Sequence, residues 1–302
     1  MKVLAGLDVG GTKLAVRVET IGGDRVVNAE CGAAEWTAVP AAAAAFWLAG
    51  QLRRHLTPGS EIVAVGVGAQ GCNSPAISAD LGRALESLGL LATVVNDGAL
   101  LVPAAGLEHG IGIVAGTGSI GIAEDAEGNP LRAGGWGWVL GDEGGAAAIV
   151  REATRSALAA HDAGRADDGL LTALQRAFAV PDAERLARAV NDDPTADNWA
   201  PRAPAVFAAA DQGSARADAV ITAAAGQLTT LVGTLIARGA VGCDVVAAGG
   251  VIVNQPRLAR AFRDHLARRH PSLRLRILAD APVAGAVTLA RRLLTAAEPR
   301  SS

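Results

Sequence analysis

The chain has 302 residues, room for two domains, and with half of them hydrophobic and 37 glycines it has the composition of a globular protein. A formal net charge of −3 gives no electrostatic case for nucleic acid or an anionic membrane surface as partner. Cys31, Cys72 and Cys243 stand far apart with no C-x-x-C spacing, which argues against a zinc site or disulfide framework and predicts a reducing, cytoplasmic setting. The N-terminus enters a strand directly, without a signal peptide. Apolar runs such as Ala41 to Ala49 are too short to span a bilayer.

Val3 to Val9 reads as a buried strand and Leu14 to Val18 as its half-buried partner, joined by Gly10-Gly11-Thr12-Lys13. Such a turn has the chemistry of a phosphate cradle. Glycines accept positive φ and leave room for backbone N–H groups to converge on an anion, while Thr12 adds a hydroxyl and Lys13 a cation. Asp8 ends the buried strand, where a carboxylate needs a partner; magnesium held through water would be one. A plain hairpin with Asp8 bonded to the turn amides accounts for the stretch equally well.

Arg25 to Cys31 predicts a third strand, Ala38 to Leu56 a helix, Glu61 to Val67 a strand, Ile77 to Leu88 a helix and Ala92 to Val95 a strand. Asp97 to Ala105 begins another helix. Three strands followed by alternating helix and strand predict a mixed α/β sheet covered by helices. The pattern then restarts. Gly110 to Ala115 and Ile120 to Ala123 are strands around Gly116-Thr117-Gly118-Ser119, and Glu127-Gly128-Asn129 makes a hairpin. Gly134-Gly135-Trp136-Gly137 and Gly141-Asp142-Glu143-Gly144-Gly145 lead into a helix from Ala146 to His161. Shorter helices punctuated by Pro181 and Pro194 follow, then a long helix from Ala215 to Arg238 and a strand from Asp244 to Ala248. Gly249-Gly250 is read as a turn, Pro256 to Arg269 as a helix, Leu273 to Leu278 as a strand and Ala284 to Ala297 as the closing helix. A duplicated unit with two phosphate turns suggests one nucleotide held between two lobes.

Two matches to G-x-G-x-x-G, Gly66 to Gly71 and Gly116 to Gly121, fail as dinucleotide fingerprints because no helix opens directly after either. There is no P-loop motif, and the histidines are scattered.

Six motifs occur in order: Asp8-Val9-Gly10-Gly11-Thr12-Lys13, Asn96-Asp97-Gly98-Ala99, Ala115-Gly116-Thr117-Gly118-Ser119, Gly134-Gly135-Trp136-Gly137, Gly141-Asp142-Glu143-Gly144 and Ala248-Gly249-Gly250-Val251. Together they resemble the N-acetylglucosamine kinase branch of the BadF-type ATPase family, within the actin-like, sugar-kinase and Hsp70 superfamily. The resemblance implies an α/β fold of two ribonuclease-H-like lobes with ATP, Mg2+ and sugar in a cleft between them. It divides the chain into an N-terminal lobe, 1–105, joined by the closing helix 284–302, and a C-terminal lobe, 106–283. It also implies a homodimer.

Carried over by position, the resemblance puts ATP on Gly10, Gly11, Thr12, Lys13, Gly116, Thr117, Gly118 and Ser119, with the adenosine motif at Gly249 and Gly250. Magnesium falls to Asp8 through water, the catalytic base to Asp97, and the sugar to Gly135, Trp136, Gly137 and Asp142. A base at Asp97 suits phosphoryl transfer, in which the acceptor hydroxyl must be oriented and deprotonated. Aspartate there could instead cap a helix; the coincidence with the family motif favours the base. Where animal-type acetylglucosamine kinases read Asn-His-Trp, this chain has Ala34-Glu35-Trp36, which keeps Trp36 but loses an asparagine. Gln70 and Asn73 are candidate replacement contacts, so the acceptor is N-acetylglucosamine, glucosamine or a related hexose derivative. Two other classes fit the same superfamily. An iron–sulfur activator ATPase needs cysteines after the second phosphate loop, and none lies between Cys72 and Cys243. A sugar-sensing protein on a kinase fold is the other.

Overall fold

β1 (Lys2–Val9) is buried on both faces, which explains why its sequence runs apolar instead of alternating. Val3, Ala5, Leu7 and Val9 face one core and Leu4 faces another, leaving Asp8 as the polar residue near its end. The computed structural model describes residues 1–297 and divides into two compact units. One is Met1–Gly110 with the chain from Leu278 on; the other is Ile111–Ile277.

In the first unit β1, β2 (Lys13–Thr20), β3 (Arg25–Gly32), β4 (Glu61–Ala69) and β5 (Ala92–Val95) form one sheet in the order β3-β2-β1-β4-β5. The first three strands pair antiparallel, and β4 and β5 continue the sheet parallel to β1. Helices α1 (Ala41–His55) and α2 (Pro75–Ser87) bury Leu48, Leu52, Leu81 and Leu85 against the Val3 face. After β5 the chain makes a 3-10 turn, Asp97–Leu100, before α3 (Leu101–Ala104), where a continuous helix was expected. Pro103 has no N–H to extend it.

The opposite face is closed by α12 (Val283–Ala297), which lies on two paired glycines, Gly6 of β1 and Gly66 of β4. A Cβ on Gly66 would stand 1.9 Å from the Ala286 carbonyl oxygen, and one on Gly6 2.8 Å from the Val287 nitrogen. Helix backbone therefore rests directly on strand backbone. The segment leading into α12 is tied down by Asp280, whose carboxylate accepts two hydrogen bonds from the buried Arg17 of β2, at 2.7 and 2.6 Å. This bidentate pair, with Arg25 at 3.4 Å, holds the Asp280 carboxyl down at about 2.

The second unit repeats the plan. β6 (Ile111–Ala115), β7 (Ser119–Glu124), β8 (Pro130–Gly134), β9 (Asp244–Ala248) and β10 (Arg274–Ile277) form a sheet ordered β10-β9-β6-β7-β8. Again three strands are antiparallel and two follow parallel to the central one. The internal repeat expected from the sequence is thus a repeat of strand order and direction. Helices α4 (Ala146–Asp162), α5 (Leu170–Ala177), α6 (Ala183–Asn191), α7 (Ala196–Trp199), α8 (Ala203–Asp211) and α9 (Ala215–Ala237) pack into one core with β6. α10 (Gly250–Asn254) and α11 (Pro256–Arg269) complete the unit. β8 is the returning strand of the hairpin expected at Glu127-Gly128-Asn129, α8 was not expected, and Gly250, read as part of a turn, begins α10. α9 is long and apolar enough to cross a membrane by length and composition. Here Ile221, Ala225, Leu228, Val232 and Leu235 are buried in the unit's core, and Gln227, Thr230 and Thr234 lie on its exposed side.

Candidate active site

In the first unit, the expected site residues gather where β1, β4 and β5 end at their carboxyl termini, the usual ligand-binding edge of a parallel sheet. The turn after β1 closes with the Gly10 N–H donating to the Lys13 carbonyl at 2.9 Å. Neither Gly10 nor Gly11 takes the left-handed φ anticipated for a cradle of converging amides. A Cβ at position 11 would lie 2.7 Å from the Gln70 Oε1, the end of a flexible side chain that can swing aside. Gln70 follows β4, its N–H bonded to the Val9 carbonyl at 2.8 Å and its own carbonyl accepting the Trp36 indole N–H at 2.9 Å. Trp36 in turn packs on Trp47, with ring centres 5.5 Å apart. Lys13 is exposed and meets Glu30 at 3.5 Å, a solvated pair that contributes little to stability.

Asp97 opens the turn after β5. The Asn96 side chain orders that turn, with Oδ1 accepting the Gly98 N–H at 3.1 Å and Nδ2 donating to the Asn73 Oδ1 at 3.0 Å. Asn73 is thereby joined to the residue preceding Asp97. Asn96 belonged to a recognised motif but had no role assigned; an asparagine two residues before a glycine is the local signal for such a cap. Cys72, buried in the same loop, has its thiol pushed up to about 11 by burial, so it stays protonated and inert.

Burial, then the negative charges of Asp97 and Glu30, push the Asp8 carboxyl up to about 7. This carboxyl binds its proton more tightly in the fold than in the unfolded chain. Its contribution to stability is therefore present at low pH and is lost as pH rises from 3.8 to about 7. In metal-free buffer, wild-type thermal stability is expected to fall relative to Asp8→Asn across that interval. Parallel melting curves for the two proteins at every pH would show that Asp8 titrates in the ordinary range.

In the second unit the turn Gly116-Thr117-Gly118 closes in the same way, the Gly116 N–H donating to the Gly118 carbonyl at 2.9 Å. The start of α4 donates to it, from Ala146 N–H to the Gly116 carbonyl at 2.8 Å and from Ala147 N–H to that of Thr117 at 3.2 Å. Gly249 presses on it from β9, and Gly250 opens α10 beside it. The Ser119 hydroxyl is engaged within the unit, donating to the Glu143 carbonyl at 2.6 Å.

Asp142 does not cap α4, whose cap is Gly145. It holds a left-handed φ of 59°, a strained conformation for a residue with a side chain. Its carboxylate accepts N–H groups from Gly137, at 3.3 Å, and Ser119. Gly118 must be glycine to admit it, since a Cβ there would fall 2.1 Å from Asp142 Oδ2. Burial raises the Asp142 carboxyl above its ordinary value despite these bonds and the nearby Arg132 charge. Trp136 lies 70 % exposed between Gly135 and Gly137, and Arg132 stacks over its ring. Within this unit the structure therefore brings together Gly116 to Ser119, Gly135 to Gly137, Asp142, Gly249 and Gly250. Arg132, an isolated arginine in the short strand after the hairpin, carried no sequence signal.

Among curated proteins, the chain is 30% identical over 171 residues to an N-acetylmuramic acid/N-acetylglucosamine kinase from Clostridium acetobutylicum. That match takes in 54% of this chain and 55% of the relative, so it spans about half of that protein's length. Among solved structures, a candidate N-acetylglucosamine kinase from Chromobacterium violaceum is 25% identical with a TM-score of 0.70, covering 97% of this chain and 99% of that one. A ROK family glucokinase from Streptomyces griseus, solved with glucose and AMPPNP, aligns over 95% of this chain and 98% of its own with a TM-score of 0.53. At 18% identity that likeness speaks for the fold alone, which is the actin-like sugar-kinase fold. The family match itself runs over residues 5–290, nearly the whole chain. On that span the chain belongs to the BadF/BadG/BcrA/BcrD ATPase family.

Proposed function

We propose that the protein is an ATP-dependent sugar kinase that phosphorylates a hydroxyl of an amino sugar, N-acetylglucosamine or glucosamine first among them. The observation that carries this reading is the carboxyl edge of the first sheet. There Asp97 begins a turn ordered by Asn96, beside the buried carboxyl of Asp8 and the polar loop of Gln70 and Asn73. The N-acetylmuramic acid/N-acetylglucosamine kinase from Clostridium acetobutylicum supports the substrate class.

On this reading the sugar hydroxyl gives its proton to Asp97 as its oxygen bonds to the γ-phosphorus and ADP departs. Gly10 to Lys13, Gly116 to Ser119, Gly249 and Gly250 hold the nucleotide. Trp36, Gln70, Asn73, Gly135, Trp136, Gly137 and Asp142 hold the sugar. Magnesium, when bound, supplies positive charge against the phosphates. Asp8 fits it through water, because its carboxyl is crowded by burial and by two other carboxylates. Among the described residues no cluster of three His, Cys, Asp or Glu side chains is arranged to bind a metal directly. The resemblance adds a cytoplasmic homodimer to the reading.

Purified protein assayed for ADP release against a panel of amino sugars and hexoses tests the proposal. ADP release that depends on an amino sugar is the expected result. Sugar binding by calorimetry without ADP release would replace the kinase with a sugar-sensing protein. An iron–sulfur absorbance in anaerobically prepared protein would replace it with an activator ATPase.

A further inference from the structure

A loop of left-handed glycines has little stiffness of its own, yet the one after β8 carries the exposed ring of Trp136. Gly134, Gly135 and Gly137 sit at φ of 72°, 68° and 87°. One side chain acts on this loop in three ways. Arg132 Nε donates to the Gly134 carbonyl at 3.2 Å, its Nη2 donates to the Gly135 carbonyl, and its guanidinium lies 5.1 Å from the centre of the Trp136 ring. The far end of the loop is fixed separately. Arg151 Nη1 donates to the Trp138 carbonyl at 2.8 Å, and the Trp138 ring packs edge-on against Trp199.

We propose that Arg132 is a positioning residue for the acceptor sugar. It pins the two glycine carbonyls and backs one face of Trp136, so the other face stands ready as a platform for the sugar ring. The proposal rests on the reading above, in which Trp136 and Asp142 contact the sugar. Arg132 also places a positive charge near Asp142 that works against the effect of burial on its carboxyl. Without Arg132 the loop must be ordered at each binding event instead of in advance, which weakens sugar binding roughly 10-fold. Lysine is no substitute, because it lacks both the planar face and the forked donors.

The test uses full-length protein labelled with 5-fluorotryptophan, whose five tryptophans give five fluorine signals. Trp136 is identified by the signal that vanishes in Trp136→Phe. In both Arg132→Ala and Arg132→Lys the Trp136 signal is expected to move and sharpen, while those of Trp36, Trp47 and Trp199 stay in place and report an intact fold. KM for N-acetylglucosamine is expected to rise roughly 10-fold, with kcat and KM for ATP changing less than about 2-fold. A Trp136 signal unmoved in both variants, or one that moves with KM unaffected, overturns the proposal. If wild-type protein turns over no amino sugar, the kinase reading fails. The positioning role is then decided by titrating N-acetylglucosamine against the Trp136 signal: a wild-type shift lost in the variants supports it, and no wild-type shift overturns it.

Discussion

Asp97→Asn is expected to lower turnover by at least about 10²-fold, the contribution of a positioned general base, while sugar affinity and thermal stability stay close to wild type. The substitution keeps the size and shape of the side chain. The turn that carries it is ordered by the Asn96 side chain and the Gly98 N–H at 3.1 Å, neither of which changes. What is lost is a negative charge and a proton acceptor. Steady-state kinetics beside calorimetric sugar binding separates the two effects, and a variant with near-normal kcat would remove Asp97 from the chemistry. The same substitution has an independent signature. Asp97 is one of the charges that raise Asp8, so Asp8 is expected to titrate lower in the variant.

Gly249→Ala should be among the most damaging small changes in the second unit. Gly249 holds a φ of 106°, and an added Cβ would stand 2.5 Å from the Ala115 carbonyl oxygen and 2.9 Å from the Gly116 nitrogen. These are backbone atoms of β6 and its turn, which cannot move aside as a flexible side chain would. Conformational strain and overlap together are expected to destabilise by about 2–4 kcal/mol. Nucleotide affinity should fall as well, through distortion of the Gly116 turn. Gly250→Ala is the control: its Cβ would meet open space at the start of α10, and stability should be unchanged or slightly raised. Urea denaturation compares the pair, and equal midpoints would contradict the close packing of Gly249 on the turn.

The strand pattern was legible because β1 and β6 are buried centres of their sheets and each returns through a glycine turn to an antiparallel partner. Direction and pairing followed from the helices between later strands. The extent of β8 was hidden by its brevity and its leading Pro130, and α8 by Pro204 near its start. The site was legible as a list of motif positions but not as an arrangement. Nothing local says that Asp142 turns its carboxylate onto Gly118, that Gln70 leans over Gly11, or that Asn73 is joined to Asn96. Each of these contacts links residues far enough apart that only the fold makes them neighbours.

The seating of α12 on Gly6 and Gly66 bears on when each unit can finish folding. The first unit has no cover for that glycine groove until the last helix has been made, and the whole of Ile111–Ile277 is synthesised in between. At about 5–20 residues per second on the ribosome, the wait is roughly 10–30 s. During it the second unit, continuous in sequence, can complete its own core. The order of synthesis is then reversed in the order of maturation: the N-terminal segment starts first and is sealed last. A stop codon just after β10 would leave the second unit whole and the first with an open, glycine-floored trough along its central strands.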